Sequence, residues 1–326
     1  MLAKRLYVIF VFFAATLLLT SCASDPNRGK LRVTVLDVGQ GDSILVQTPT
    51  DRVILIDGGG ANEEMSSEAA EHRGHKSADA DSEDDDDAPS DPHDVGHRVV
   101  IPALHYHGIN RIDLLILTHP HGDHVGGLPA VLNDEQVGTV LDGTVLPYPS
   151  KAYRRFRLLV ASKHIPYYHA ARGMHIDFGD GVTGMVLNPP AHGTPYGTGS
   201  DNTTVNNYSV VLRLTYGKTH ILLDGDAQKE AEESMIASCG DVSADFLKCG
   251  HHGAGNATTD VWLNAVRPKS AAISCGLHNV FGHPHPDTLA RLNAHGVQIF
   301  RTDHNGAITA VSDGKTVAVT CVQPGA

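Results

Sequence analysis

Residues 118–127, which read Thr-His-Pro-His-Gly-Asp-His-Val-Gly-Gly, constrain the fold of this chain more than any other segment. Three imidazoles and one carboxylate fall within six positions, at His119, His121, Asp123 and His124. The segment follows the continuous aliphatic run 113–117, which is typical of a buried strand, so these side chains lie on a turn at a strand's end. Imidazole and carboxylate ligands suit zinc, manganese or iron, and so many in one turn predict two cations about 3.5–4 Å apart. The alternative is a histidine-rich surface turn, but H-x-H-x-D-H is far more restrictive than that.

Six more motifs occur along the chain in a set order. They are DVGQGDS at 37–43, IDGG at 56–59, NNYSVV at 206–211, LLDGD at 222–226, LKCGHHG at 247–253 and GHPHP at 282–286. With the ligand turn, they resemble the metallo-hydrolase domain of ComEC-type competence proteins, which has the metallo-β-lactamase fold. The similarity runs from about residue 31 to residue 319, with one acidic interruption. The resemblance implies an α/β protein built as an αββα sandwich, with a single domain over residues 31–322.

The acidity of the chain is concentrated in one segment. The net charge is −12, but residues 62–97 hold thirteen Asp and Glu against two Lys and Arg, which leaves the remainder close to neutral. This segment has almost no apolar residue, so we expect a solvated, disordered insertion. In an alternative, its histidines collect metal for the site: His72, His75, His93 and His97. Charge alone neither supports nor excludes a phosphate-bearing substrate.

Residues 1–21 have the features of a lipoprotein-type signal peptide. Lys4 and Arg5 precede a fourteen-residue apolar stretch at 6–19, shorter than the about 20 residues that span a bilayer. Residues 19–22 resemble a lipobox, which predicts lipid attachment at Cys22 and a tether over 22–30. We therefore expect an exported protein that is anchored by lipid to a bacterial membrane, on the periplasmic side or at the cell surface, without a transmembrane channel in this chain. A secretory signal or membrane anchor without lipidation is the alternative.

The same order of elements is predicted in both halves of the chain. Apolar or alternating stretches predict strands at 31–37, 43–48, 52–57, 113–117, 207–215, 219–223, 245–249 and 269–274, with a hairpin over 174–188. Helices are predicted at 99–107, from 127 onward, and at 150–163, 228–238 and 288–295. In each half, a strand therefore ends at candidate ligands and a helix follows.

The resemblance implies how the cations are held, with Asp226 as a bridging ligand. One cation would be bound by His119, His121 and Asp226, and the other by Asp123, His124, Asp226 and one of His251 or His252. His251 matches the family's ligand position best, which leaves His252 to face the substrate or to donate a proton; alternatively, both only support the turn. Asp57 would hold a ligating imidazole in its tautomer, unless it is an ordinary turn residue.

Many enzymes of this fold have one more histidine ligand between the first motif and the bridging aspartate. In this chain the matching region is 206–209, which contains asparagines instead, as in the ComEC-type pattern. The resemblance therefore implies weaker binding of the first cation, with an amide or a water molecule in the gap. A second departure is Ala254, where the ComEC-type pattern usually has a serine.

The predicted chemistry depends on two divalent cations, zinc or manganese, which lower the pKa of a shared water from 15.7 toward about 7. The resulting hydroxide would attack phosphorus in line, with Asp123 orienting it. His252, His283 or His285 would protonate the leaving oxygen, although the last two could equally support a proline-rich turn. The candidate substrate-binding residues are Lys248, Asn279 and Asn207.

The predicted function is a phosphodiesterase or nuclease that cleaves DNA or related phosphodiesters. A hydrolase of small esters, such as a phosphorylcholine-type phosphodiester, a lactone or a β-lactam, is the first alternative, because the same dinuclear site serves all of them. A non-catalytic lipoprotein that binds DNA or a surface partner is the second, and the intact ligand set argues against it.

Overall fold

A computed structural model of the protein describes residues 27–60 and 94–322. The predicted signal peptide, the lipidation site Cys22, the first part of the tether and most of the acidic insertion lie outside the described residues. Within those two ranges, no helix has both the length and the apolar character needed to cross a bilayer.

The described residues form short strands and helices. The strands are β1 (Leu31–Val35), β2 (Ile44–Gln47), β3 (Val53–Ile56), β4 (Arg111–Ile112), β5 (Leu114–Leu117), β6 (Gln136–Val137), β7 (Val140–Asp142), β8 (Tyr167–His169), β9 (His175–Gly179), β10 (Val182–Asn188), β11 (Val211–Tyr216), β12 (Thr219–Leu223), β13 (Phe246–Lys248), β14 (Ser270–Ile273), β15 (Gln298–Arg301), β16 (Ile308–Ser312) and β17 (Val317–Cys321). The helices are α1 (Ile101–Tyr106), α2 (Gly122–Val125), α3 (Leu128–Asp134), α4 (Lys151–Ser162), α5 (Asn202–Asn207), α6 (Lys229–Ser238), α7 (Asp260–Val266), α8 (Pro286–Ala294) and α9 (Thr302–Asn305). A π-helical turn (Gly96–Val100) precedes α1, and a 3₁₀ turn (Gly250–Gly253) follows β13.

The strands form two large mixed sheets. The first has the order β17-β16-β1-β2-β3-β5-β7-β8, in which β1 to β3 are an antiparallel meander and β3, β5, β7 and β8 run parallel. The second has the order β15-β14-β13-β12-β11-β10-β9, antiparallel from β9 to β12 and parallel from β12 to β15. Strands β4 and β6 form a separate parallel pair.

Three apolar layers hold the sheets and helices together. Alternate residues of the strands point to opposite faces, so Ile44 and Val46 of β2 pack against the second sheet while Leu45 packs against helices. The central layer contains residues of both sheets, such as Val46 and Leu212. The outer layers pack α1, α3 and α4 on the first sheet, and α6, α7 and α8 on the second. This arrangement of helix, sheet, sheet and helix confirms the predicted αββα sandwich.

Most predicted elements lie where the sequence placed them, but the strand predicted at 207–215 begins too early. Helix α5 occupies Asn202–Asn207 because Asp201 caps it, accepting a hydrogen bond from Thr204 N at 3.0 Å. The amide of Asn188 then donates to the carbonyls of Asn207 and Ser209, both at 2.8 Å, so these groups have no need of a strand partner. The strand therefore begins only at Val211.

The loops that carry the motif residues meet at one edge of the sandwich. Asp57 follows β3, and His119 follows its parallel neighbour β5. Asp226 follows β12, and His251 and His252 follow the parallel strand β13. The carboxyl ends of parallel strands lie at the same edge, so the two halves of the chain deliver their ligand residues to one place.

Candidate metal centre

The carboxylate of Asp226 is the point on which the imidazoles converge. Its Oδ2 lies 3.3 Å from Nε2 of both His124 and His252. The same oxygen lies 3.9 Å from Nε2 of both His119 and His251. Two ligand atoms each about 2.1 Å from one cation can be no more than about 4.2 Å apart. All four nitrogen atoms are therefore within reach of a cation that Asp226 also binds.

One cluster of donors fits a divalent cation without rearrangement. Asp123, His124, Asp226 and His252 each offer an atom, and these atoms all lie within 4.8 Å of one another. Nε2 of His252 is 3.1 Å from Oδ2 of Asp123. Within the described residues, the buried Nε2 atoms of His124 and His252 have no hydrogen-bond partner. Buried polar atoms are seldom left unpaired, so these nitrogen atoms are oriented as ligands.

His119 and His121 form a second group of donors near Asp226. Nε2 of His119 is 3.0 Å from Nδ1 of His121, and both rings are buried. Nδ1 of His119 is within hydrogen-bond distance of the hydroxyls of Thr118, at 3.0 Å, and Ser209, at 3.2 Å. Ser209 also accepts a hydrogen bond from the backbone N–H of Asp226 at 3.1 Å. Ser209 thereby fixes a ligand from each half of the chain relative to the other.

Asp57 lies directly behind His124, one of the histidines of the first cluster. Its Oδ2 is 2.8 Å from Nδ1 of His124 and accepts a hydrogen bond from the hydroxyl of Thr118 at 2.7 Å, while its Oδ1 accepts one from the N–H of Thr118, also at 2.7 Å. This contact places the proton of His124 on Nδ1 and leaves Nε2 free toward Asp226. Burial raises the pKa of Asp57, although the nearby His124 opposes that change.

The first motif, residues 37–43, packs under the ligand turn, and this packing explains why the motif contains Gly41. At Gly41, which has φ +121°, an added Cβ would lie 2.1 Å from the carbonyl oxygen of Asp123. This close approach allows the backbone N–H of Asp42 to donate to that carbonyl at 3.1 Å. The carboxylate of Asp42 in turn lies 3.6 Å from Nδ1 of His252. Asp42 of the motif at 37–43 therefore supports the metal centre from below, while Gln40 of the same motif lines the cavity.

The protonation of the imidazoles follows from burial and from the carboxylates. Burial lowers the pKa of His119 well below its ordinary value and that of His121 to about 4, so both rings are neutral at pH 7 and offer a lone pair. Burial acts in the same direction on His252, but Asp226 and Asp123 outweigh it and raise its pKa to about 10. Burial would raise the pKa of Asp226, yet its imidazole neighbours hold that pKa well below the usual range. A cation would take the place of the proton on His252.

The structure places His252, rather than His251, in the cluster with Asp123 and His124. His252 is buried, and its Nδ1 lies 3.0 Å from the carbonyl of Ser274, which fixes the proton there and turns Nε2 toward Asp123. The sequence-based preference for His251 at this position is therefore wrong. Two adjacent histidines cannot be told apart by spacing, because the backbone of the turn decides which ring points inward.

Lys248 does not bind substrate, contrary to the prediction. It is completely buried on the central strand β13, where it forms an ion pair with Asp42 and donates to the carbonyl of Gly225 at 3.0 Å. Its Nζ also lies 3.9 Å from Oδ1 of Asp226. The lysine thus supports the carboxylate of Asp226 from the protein interior.

The two predicted asparagine contacts to substrate are also wrong, because both side chains are used within the fold. Oδ1 of Asn207 accepts hydrogen bonds from the N–H groups of Gln228 and Ala231 at the start of α6, and Nδ2 donates to Glu230 at 3.1 Å. Asn279 closes its own loop, donating to the carbonyl of Gly276 at 2.9 Å and accepting from the N–H of His283, also at 2.9 Å.

His283 and His285, which the sequence treats alike, have different surroundings. His283 lines the cavity above the metal centre, and its buried Nδ1 has no hydrogen-bond partner among the described residues. Burial lowers the pKa of His283 to about 4. The side chain of His285 is half exposed and caps α8 by accepting from Asp287 N at 3.2 Å, and it is absent from the described residues that line the cavity. The prediction that His285 protonates the leaving group is therefore wrong.

An open cavity of about 670 Å³ lies above the two clusters. Its floor includes His121, Asp123, Asp226, His251 and His252, and Val280, Phe281 and His283 form part of its wall, with Val280 58% exposed. The ring of Phe281 stacks on that of His283, with centroids 5.8 Å apart and an angle of 24° between the rings. Sequence reasoning missed this aromatic contact and the contribution of Gln228, whereas Asn206, which also lines the cavity, lies in the segment where an amide was expected near the first cation.

Of the four histidines considered as metal collectors, the structure describes His97. Its ring contacts Asp94 at 3.3 Å and Asp134 at 3.2 Å. The other three, His72, His75 and His93, lie outside the described residues.

Several known proteins are similar to this chain. The sequence matches the family described as the Metallo-beta-lactamase superfamily over residues 36–277. ComE operon protein 3 of Bacillus subtilis (strain 168) is 32% identical over 280 residues, which cover 85% of this chain and 32% of the relative. Competence protein ComA of Neisseria gonorrhoeae is 30% identical over 277 residues, which cover 85% of this chain and 31% of that relative. The chain thus spans about a third of the length of these relatives. Among solved structures, the metallo-beta-lactamase fold protein YhfI from Bacillus subtilis has a TM-score of 0.46 and 16% identity, covering 85% of this chain and 97% of that one.

Proposed function

The chain belongs to the metallo-beta-lactamase superfamily, and on that premise we propose that it is a two-cation phosphodiesterase that cleaves nucleic acid outside the cytoplasm. The family match confirms the resemblance that the motifs indicated. The observation that carries the proposal is the convergence of four Nε2 atoms within 3.9 Å of one carboxylate oxygen of Asp226, beneath an open cavity.

The donor set fits zinc or manganese. The second cation would be held by Asp123, His124, Asp226 and His252, and the first by His119, His121 and Asp226. When bound, the cations would supply Lewis acidity toward phosphate oxygens and lower the pKa of a water molecule. Carboxylate and imidazole donors are the ligands that both of these metals accept in proteins.

Asp123 is the group that would orient the attacking water. Its side chain is 14% exposed and faces the cavity, while the other carboxylate of the cluster, Asp226, is buried. Burial would raise the pKa of Asp123, but His124 and His252 hold it well below its usual range. The carboxylate therefore stays ionised. It would accept a hydrogen bond from the water molecule and so orient the oxygen of that water toward the phosphorus.

His283, which also lines the cavity, would contact the leaving oxygen. With its pKa at about 4, the ring is neutral at pH 7, so it offers an N–H hydrogen bond rather than a full proton. The P–O bond to the leaving group would break as a new P–O bond to the water oxygen forms, and the proton that the water loses would pass to solvent. The leaving oxygen takes its proton from solvent, while the N–H of His283 stabilises the charge on it.

Two observations favour nucleic acid over a small ester. The relatives carry names that refer to competence, ComE operon protein 3 and Competence protein ComA. In addition, Phe281 stacks on His283 at the cavity wall beside the exposed Val280, and aromatic rings of this kind bind unpaired bases. Export and lipid anchoring at Cys22 would place the activity outside the cytoplasm, where the protein would encounter DNA from the surroundings.

The test is to incubate the purified, metal-loaded protein with single-stranded DNA, double-stranded DNA and bis-p-nitrophenyl phosphate. Asp123→Ala should lose activity by at least about 100-fold, whereas His285→Ala, a histidine outside the cavity, should retain it. Equal cleavage by the wild type and Asp123→Ala would identify a contaminant. Turnover of lactones or β-lactams without cleavage of any phosphodiester would move the assignment to a small-ester hydrolase.

A further inference from the structure

No lysine or arginine lines the cavity above the metal centre, within the part of the chain that the structure describes. These two side chains are the ones that most often bind phosphate groups in proteins. Lys248, which the sequence assigned to that role, is fully buried and pairs with Asp42 in the interior. A phosphodiester in this cavity would therefore need neutral donors for those oxygens that no cation binds.

Side-chain amides are the neutral donors that the cavity offers, and five of them line it: Gln40, Asn202, Asn206, Gln228 and Asn256. The amide nitrogens of Asn206 and Gln228 lie 3.3 Å and 3.0 Å from the ring nitrogens of His251. Asn256 donates to Gln228 at 2.9 Å. Asn202 is exposed at the start of α5, and its side chain forms no hydrogen bond with the described residues. Gln40 is the remaining amide, and it is both buried and oriented.

The side chain of Gln40 is fixed by its oxygen. Gln40 is 4% exposed, and its Oε1 accepts a hydrogen bond from the N–H of Gly276 at 3.2 Å. A backbone N–H cannot donate to an amide nitrogen, so this contact decides which end of the side chain is oxygen and which is nitrogen. Within the described residues, no group accepts a hydrogen bond from Nε2. Buried donors are seldom left unpaired, so Nε2 is available to a molecule that occupies the cavity.

The backbone of Gln40 lies between the ligand turn and the cavity wall. Two residues further along the chain, the N–H of Asp42 donates to the carbonyl of Asp123 at 3.1 Å. On the other side, an added Cβ at Gly276 would lie 2.7 Å from the backbone nitrogen of Gln40, which is closer than a side chain tolerates. Gly276 begins the loop that carries His283. Gln40 is therefore adjacent to the segments that carry both groups assigned to act on the substrate.

We propose that Nε2 of Gln40 donates a hydrogen bond to a non-bridging oxygen of the scissile phosphate. This inference rests on the proposed function, because it names a contact to the substrate of that same site. A neutral donor suits the position, since it binds a phosphate oxygen without adding a positive charge beside two cations. Gln40 thereby takes the role in substrate binding that the sequence assigned to Lys248.

The first measurement is the binding of inorganic phosphate to the metal-loaded full chain, by isothermal titration calorimetry. Gln40→Met keeps the length of the side chain but removes the donor, so it should raise Kd roughly 10–150-fold, as loss of one hydrogen bond to a charged group predicts. Gln47→Met is the matched control, because Gln47 is also 4% exposed but lines a separate cavity, and its Kd should equal that of the wild type. All three proteins should hold the same number of cations, measured by plasma mass spectrometry.

Cleavage of a phosphorothioate diester distinguishes a contact to substrate from support of the loop. Sulfur is a weak acceptor, and it replaces one or the other non-bridging oxygen in the two diastereomers. The wild type should prefer one diastereomer, and this preference should fall by about tenfold or more in Gln40→Met, because the donor that senses the sulfur is gone. A residue that only supports the loop at Gly276 would slow both diastereomers alike. Should Gln40→Met unfold, Gln40→Glu keeps an acceptor for Gly276 and should lose phosphate affinity at least as strongly.

A phosphate Kd of Gln40→Met or Gln40→Glu within about twofold of the wild type would overturn the inference. A wild type that binds no phosphate would overturn it too, and so would a diastereomer preference that is unchanged in Gln40→Met. The proposed function fails separately. A wild type that binds phosphate through Gln40 but cleaves no phosphodiester contradicts the proposed function and leaves the contact of Gln40 standing.

Discussion

Lys248 and Asp42 form a completely buried ion pair directly behind the carboxylate of Asp226. The two residues are 206 positions apart, and their contact joins the first motif to the central strand β13 of the second sheet. Nζ of Lys248 lies 3.9 Å from Asp226, and Asp42 lies 3.6 Å from His252, so the pair touches a candidate ligand on each side. The positive charge offsets part of the repulsion between carboxylates that are gathered to bind cations.

Removing the lysine alone should be strongly destabilising. Lys248→Met leaves the charge of Asp42 buried without a partner, which should lower the free energy of unfolding by roughly 3–5 kcal/mol, measured by urea denaturation of the metal-free protein. Lys269→Met is the matched control, because Lys269 pairs with Asp245 at the surface, and it should change stability little. If the two variants unfold at the same urea concentration, the buried pair of Lys248 and Asp42 contributes no more to the free energy of unfolding than the surface pair does.

Asp57→Asn should weaken metal binding more than it weakens the fold. The amide can still accept a hydrogen bond from Thr118, but it no longer holds the proton of His124 on Nδ1 as a carboxylate does. We expect a loss of about 10–100-fold in affinity for the cation that His124 binds, measured by titration of the metal-free protein. Asp142→Asn alters another buried carboxylate, which contacts tyrosines on the outer face, and should leave metal affinity unchanged. A greater loss of affinity in Asp142→Asn than in Asp57→Asn would contradict this role.

The sequence predicted most strands and the first ligand cluster because the information for both is local, whereas the sandwich was implied by the family resemblance. Ligands two to five positions apart on one turn must lie close together whatever the rest of the chain does, as His119, His121 and His124 do. Strand periodicity also survives in a single sequence, which is why the hairpin of β9 and β10 was predicted correctly.

The errors have a different physical origin, since they depend on backbone conformation or on distant contacts. Spacing does not reveal that His251 and His252 are both left-handed, and this alone decides where each ring points. A lysine next to a ligand motif suggests phosphate binding, but Lys248 lies in the interior opposite Asp42, a partner far away in the chain. Asn207 is used as a cap for α6 because the preceding helix α5 places it there, and that helix has little apolar periodicity.

The stability of the protein should depend on pH through Glu232, a buried residue of α6 whose carboxyl contacts the residues just before α7. Burial raises the pKa of Glu232 to about 7, against the effect of hydrogen bonds from Thr258 and Thr259. The folded state therefore keeps its proton between pH 4.5 and 7 while the unfolded state loses it, so this contribution to stability is complete below pH 4.5 and is lost as the pH rises to 7. The loss amounts to no more than about 3 kcal/mol.

Glu232→Gln cannot ionise, so its free energy of unfolding should vary less between pH 5 and pH 8 than that of the wild type. The comparison is between slopes, because loss of one hydrogen-bond acceptor adds a constant difference at every pH. Glu233→Gln changes a neighbouring exposed residue and should keep the wild-type slope. A Glu232→Gln slope that matches the wild type would show that this carboxyl titrates normally.

Phe281 should distinguish a nucleic-acid substrate from a simple phosphodiester. Its ring stacks on His283 at the cavity wall, where an unpaired base could stack on it in turn. Loss of such a stack is worth about 1–3 kcal/mol, so Phe281→Ala should lower kcat/KM for single-stranded DNA by roughly 5–150-fold, while Phe281→Trp should retain it. Cleavage of an oligonucleotide that lacks bases near the scissile bond should be equal in the wild type and Phe281→Ala, because no base is present to stack. The control Val261→Ala removes an exposed apolar side chain on α7 and should have no effect. If Phe281→Ala slows the base-free strand as much as normal DNA, the ring only supports His283, and base recognition must be sought elsewhere on the cavity wall.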